Sequence, residues 1–156
     1  MENARGKGLA YSRNWDGLTL AEDSGLEIAS LKKAPGVFSA RFAGPESTDE
    51  DNIDKVLSLM RNIPIAERNS RFVSCMVLAR KGSVIKEISS EVQGFIANEK
   101  IGSFGFGYDP VFYFPPLEKT FAQLTPEEKN RVSHRGKALR LLRDFLHDFL
   151  KQRVYK

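Results

Sequence analysis

Glu22 and Asp23 stand side by side and are followed at once by Ser24 and Gly25. Hard cations such as Mg2+ take carboxylate oxygens as ligands and keep several waters. A carboxylate in such a place holds the metal, or accepts a proton from an attacking water. If strand geometry holds through the pair, the two side chains point to opposite sides. A solvated turn, with Asp23 capping its own backbone, is the plainer explanation of residues 21–25 taken alone. A second stretch, residues 102–110 (GSFGFGYDP), alternates three glycines with three aromatics. Glycine lets a ligand approach the backbone closely, and an aromatic held by such a loop can stack on a flat base. A glycine-rich hairpin with its aromatics in the core is the competing explanation. The third stretch is residues 133–137 (SHRGK), with Lys129 one turn upstream. His134 and Arg135 offer hydrogen-bond donors suited to a keto oxygen or a phosphate. A basic helix start on the surface is the plainer alternative. The glycine stretch is not GxGxxG, and no GxxxxGK[ST] loop occurs in the chain.

Positioning these groups falls to helices and strands in alternation. Residues 2–12 read as a helix without a clear start signal. Residues 18–22 (LTLAE) follow the turn Trp15-Asp16-Gly17 and read as a short buried strand that ends at the carboxylate pair. Thr48 caps a helix through Asp51, with Ile53, Val56, Leu57 and Met60 on one face and Pro64 beyond its end. Residues 71–80 and 84–92 read as strands around a turn at Lys81-Gly82, and 109–114 as a short strand closed by Pro115-Pro116. Thr125 and Glu128 form a capping box with Pro126 at the first helical position. Ser133 caps a second helix, or the chain kinks at Gly136. Leu139, Leu142, Phe145, Leu146, Phe149 and Leu150 make an apolar stripe for packing against a sheet or a partner. The whole reads as one α/β domain over residues 1–156.

Composition agrees with a folded domain. The 156 residues are 41% hydrophobic, enough for an ordinary core and too much for a disordered chain. A net charge of +4 suits an anionic partner. The single cysteine, Cys75, excludes an intramolecular disulfide and sits in an apolar run as a buried thiol. No apolar run approaches the roughly 20 residues that span a bilayer, and residues 1–11 lack a signal-peptide core. A cytoplasmic location is expected.

In order and wording these segments resemble the inosine triphosphate pyrophosphatase family, also called Ham1-like or non-canonical purine NTP pyrophosphatases. The matching text is ENARGKGLA (2–10), AEDSGLEI (21–28), APGVFSARFAG (34–44), FGFGYDPVF (104–112) and LTPEEKNRVSHRGKAL (124–139). The resemblance implies an elongated α/β fold: a mixed sheet flanked by helices, two lobes around a central cleft, and a homodimer. It implies Mg2+-dependent cleavage of ITP, dITP and XTP to monophosphate and pyrophosphate. By position, Asp23 corresponds to the proton acceptor and metal ligand, with Glu22 beside it at the metal. Ser24 and Lys7 correspond to substrate contacts, Lys7 on the triphosphate. Phe106, Gly107, Tyr108 and Asp109 match the base-binding stretch, with Phe106 placed to stack, and Lys129, His134 and Arg135 match the remaining nucleotide contacts. Neither a membrane nor a stable nucleic-acid complex is implied.

The departures carry expectations of their own. The family's first strand, its [ST]xNxxK phosphate loop and a further acidic metal ligand have no counterpart here. The resemblance therefore implies an N-terminally incomplete domain with weak catalysis, exposed sheet edges and exposed apolar surface. Lys32 and Lys33 stand where small residues are usual and are expected to alter the local turn. Two rivals remain at this level: a pyrophosphatase for modified pyrimidine nucleotides, and a catalytically weak nucleotide- or RNA-binding relative. The paired carboxylates argue against the last, since they repel phosphate unless a metal intervenes.

Overall fold

The computed structural model describes residues 2–154. Helix α1 (Glu2–Ser12) leads through an exposed turn into strand β1 (Thr19–Ile28). Helix α2 (Asp49–Met60) begins at Thr48, whose hydroxyl accepts from the Asp51 amide while the Asp51 carboxylate accepts from the Thr48 amide. Strands β2 (Asn69–Arg80) and β3 (Ser83–Ile96) form a long hairpin, followed by β4 (Phe112–Phe114) and β5 (Lys119–Thr120). Helix α3 (Pro126–Val132) carries the capping box at Thr125 and Glu128, and α4 (His134–Val154) follows after Ser133.

The strands form one sheet in the order β1-β2-β3-β4-β5. Every pairing among the described residues is antiparallel, where the resemblance implied a mixed sheet. The first three strands are longer than their local sequence suggests. β1 does not stop at Glu22: it runs on through Asp23, Ser24 and Gly25 to Ile28, paired along its whole length with residues 70–79 of β2. The ladder pairs ten residues with β2 and satisfies the backbone groups that face it, and that outweighs the turn preference of Asp-Ser-Gly. Gly25 is needed there for space, since a Cβ would lie 2.4 Å from the Gly36 carbonyl oxygen. That carbonyl belongs to the short 3-10 segment Gly36–Arg41, which lies over β1. Conversely, the strand expected at 109–114 is only Phe112–Phe114, because residues 108–111 turn on themselves.

The two faces of the sheet are covered by different helices. On one, Ala4, Gly8 and Ser12 of α1 form a buried stripe of small residues, and Ala4 packs on Cys75 and Val77. Cys75 is buried and free. On the other, Ala138 and Leu142 of α4 pack on Met76, Leu78 and Ile88. The main core lies beyond, around Leu26, Phe72, Val92, Phe112, Phe121 and the α2 residues Ile53, Val56 and Met60. β1 forms one edge of this sheet, with Leu18 and Leu20 exposed near it. Lys32 and Lys33 both adopt the left-handed region, at φ 53° and 69°. No described helix is long and apolar enough to cross a membrane.

Candidate active site

Period-two alternation in the middle of β1 sends Glu22 and Asp23 to opposite faces. Asp23 meets α1. Lys7 Nζ donates to its Oδ1 at 2.8 Å, and Asn3 Nδ2 to its Oδ2 at 3.3 Å. Asn3 and Lys7 are four apart and so share a helix face. Glu22 meets α4. Arg135 Nε lies 2.8 and 2.9 Å from its two carboxylate oxygens. Ser24 and Ser74 donate to Oε1 at 2.7 and 3.1 Å. Partial burial pushes the Glu22 carboxyl up, but the bond from Arg135, then the Ser24 hydroxyl, the Arg135 charge and the Ser74 hydroxyl outweigh it and hold the carboxyl below its ordinary value.

The aromatic loop is held from three sides. The Asp109 carboxylate accepts from the Phe106 amide at 2.8 Å and from Lys129. Burial raises Asp109 above the usual carboxylate range and outweighs the bond from Lys129. The Gly107 amide donates to Asp49 of α2 at 2.7 Å. Tyr108 is buried and its hydroxyl donates to the Ser39 carbonyl at 2.7 Å. Burial, followed by the charge of Asp49, raises this phenol well above its ordinary value. This anchoring leaves the Phe106 ring 57% exposed. Lys129 Nζ stands 4.3 Å from its centroid and the Arg135 guanidinium 5.1 Å, a doubly cationic aromatic face.

His134 opens α4 and is 6% exposed. Its ring stacks on Phe72 at 4.8 Å, and its Nδ1 is buried without a hydrogen-bond partner. Burial, then the charge of Arg135, pushes its pKa down to about 4, so the imidazole is neutral at pH 7.

These groups line two neighbouring chambers. The first, about 230 Å3, is walled by Glu22, Asp23, Ser24, Asp49, Phe106 and Arg135 among others. The second, about 220 Å3, lies toward α3 and is walled by Phe106, Lys129, Asn130, Ser133, His134 and Arg135 among others. Phe106, His134 and Arg135 belong to both. Of the residues singled out from sequence, Glu22, Asp23, Ser24, Phe106, Gly107, Tyr108, Asp109, Lys129, His134 and Arg135 line one chamber or both, and Lys7 reaches the hollow through Asp23. A larger cavity of about 740 Å3 lies elsewhere, beside Lys32, Lys33 and Arg71, but there Arg71 is already tied to Glu27 and Glu91 at 2.7 Å.

The donor set tests what metal the site could hold. Among the described residues no three His, Cys, Asp or Glu side chains converge as ligands. The Glu22 oxygens are engaged by Arg135 and two hydroxyls, and those of Asp23 by Lys7 and Asn3. Two carboxylates are enough for such an ion, since Mg2+ is commonly held by one or two carboxylates with substrate phosphates and waters. Sequence reasoning missed Asn3, Asp49 and Asn130. Asn3 had a readable signal in its i, i+4 spacing to Lys7. Asp49 had none, since its partner is 58 residues away.

A model described as the Ham1 family matches residues 1–145. The dITP/XTP pyrophosphatase of Methylacidiphilum infernorum is 42% identical over 153 residues, covering 98% of this chain and 74% of that protein. The dITP/XTP pyrophosphatase of Bacillus subtilis is 42% identical over 145 residues, covering 93% of this chain and 73% of that protein. Among solved structures, the Ham1 protein of Staphylococcus aureus matches with a TM-score of 0.88 at 41% identity, over 94% of this chain and 76% of that one. A Ham1 protein from Coxiella burnetii matches at 0.89 and 40%, with the same coverage.

Proposed function

This chain belongs to the Ham1 family, and on that premise we propose that it hydrolyses non-canonical purine nucleoside triphosphates to monophosphate and pyrophosphate. The observation that carries the proposal is the cavity wall joining Asp23 to Arg135 and the exposed Phe106 ring. A carboxylate and a stacking ring around one hollow suit the two ends of a nucleotide.

The base stacks on Phe106 in the chamber toward α3. Hypoxanthine and xanthine present a keto oxygen at position 6, where adenine presents an amine donor. Lys129 and Arg135 offer donors to that oxygen, with the neutral His134 beside them. Against adenine those donors go unpaired, which is costly in a buried site. The phosphates lie toward Asp23 and Lys7. Cleavage between the α- and β-phosphates needs an in-line water and neutralised charge on the leaving pyrophosphate. Asp23 orients or deprotonates that water, and Lys7 offsets charge on the phosphates. Mg2+ is the proposed cofactor; Asp23 would hold it together with phosphate oxygens, and it supplies charge neutralisation there. Glu22 remains on Arg135. A homodimer is part of the proposal, to be measured by sedimentation.

The test is pyrophosphate release from ITP, dITP, XTP, GTP and ATP, with and without Mg2+. The expected kcat/KM for ITP exceeds that for ATP by about 100-fold or more. Equal rates with ATP, or no release from any 6-keto purine by folded protein, overturn the proposal.

A further inference from the structure

The sheet face that carries α4 is built in cross-strand rows. Leu26, Phe72 and Val92 form one row, and Met76 and Ile88 stand beside Glu22 in another. Apart from Glu22, these residues belong to the core. Between them lies a third row of Ser24, Ser74 and Ser90, in register on β1, β2 and β3. Hydroxyls in such a place are costly unless each is bonded. Ser74 is fully buried. All three are bonded, and to only two destinations. Ser24 and Ser74 donate to Glu22 Oε1, and Ser90 donates to the His134 carbonyl. The first destination is the carboxylate that grips Arg135. The second is the backbone of the residue just before Arg135. Ser74 and Ser90 do not line either chamber of the hollow.

We infer that this serine row is a positioning device: through Glu22 and the first turn of α4 it fixes the guanidinium of Arg135 over the Phe106 ring. The inference rests on the nucleotide reading of the site and names residues that act on the base only through others. Binding groups that are held in place before the ligand arrives cost less to order on association. Ser74 stops Glu22 from rotating away, and Ser90 ties the helix start to β3. Lys137 adds a bond to the Glu91 carbonyl at 3.1 Å, so the helix start is tethered at two adjacent residues of β3.

The experiment uses the full chain carrying Ser74→Ala and Ser90→Ala together, which removes two hydroxyls and adds no volume. KM for ITP is expected to rise about tenfold with kcat within about twofold, since the loss falls on binding. Ser90→Thr alone, which keeps the hydroxyl on a residue suited to strands, is expected to match the wild type. A second measurement needs no substrate: NMR is expected to show the Arg135 Nε–H exchanging with water about tenfold faster in the double variant. Unchanged exchange overturns the inference, as does faster exchange with an unchanged KM. Faster exchange in a protein whose wild type leaves ITP intact keeps the positioning role and removes the nucleotide reading.

Discussion

Arg135 Nε sits within 2.9 Å of both carboxylate oxygens of Glu22, a residue 113 positions earlier in the chain. The pair joins the edge strand to the start of the last helix and fills the wall of the hollow that faces away from α1. Glu22→Gln keeps the shape and removes the charge. KM for ITP is expected to rise about tenfold, with a stability loss of about 1 kcal/mol because both side chains are partly exposed. Urea unfolding beside steady-state kinetics checks both. Unchanged KM would show that Arg135 needs no anchor.

Asp23→Asn is expected to lower kcat by about 100-fold or more, since amide nitrogen and oxygen accept no proton from water. The ion pair it breaks with Lys7 is half-exposed on the lysine side, so stability should change by less than about 1 kcal/mol. Retained turnover in a folded variant removes Asp23 from the chemistry.

Asp49 grips the aromatic loop through the Gly107 amide. Asp49→Ala leaves that amide unpaired and lets Phe106 wander. The expected result is a KM for ITP about fivefold higher, restored by Asp49→Asn, whose side-chain oxygen still accepts. An Asn variant as weak as the Ala variant would point to charge instead of the hydrogen bond.

His134 makes stability depend on pH. Its folded pKa, about 4, lies below the ordinary 6.5, so the unfolded chain binds the proton more readily. The native state is therefore undiminished above about 6.5 and loses stability as pH falls from there toward 4. Between pH 7 and pH 5 the loss is about 2 kcal/mol. His134→Gln should flatten that part of the curve in urea melts, and an unaltered slope would assign the acid sensitivity elsewhere. Glu22 works in the same direction at lower pH: its carboxyl is held below its ordinary value, and that contribution fades as acid protonates it.

Lys33 occupies the left-handed region at φ 69°, which costs a side-chain-bearing residue roughly 1–2 kcal/mol. Lys33→Gly relieves that strain, offset in part by the greater freedom of glycine in the unfolded chain. A net gain of about 1 kcal/mol is expected by thermal or urea unfolding, with turnover unchanged because the residue lies outside the hollow. A loss of stability would mean that the turn depends on the lysine side chain.

Local chemistry made part of this protein legible without coordinates. The capping boxes at Thr48 with Asp51 and Thr125 with Glu128, and the Lys81-Gly82 hairpin, mark element ends because each is satisfied within four residues. The residue types at 23, 106, 134 and 135 each left a plainer local reading open, and the nucleotide reading came from the resemblance of the ordered segments. What decided the rest was pairing over long separations. β1 runs through an apparent turn because β2, some fifty residues on, completes its ladder. Glu22 gains its partners because the sheet and α4 bring it Arg135 and the serines at 24 and 74. Such partners leave no periodic trace in the chain; only the register of the strands and the seating of the helix bring them within hydrogen-bonding distance.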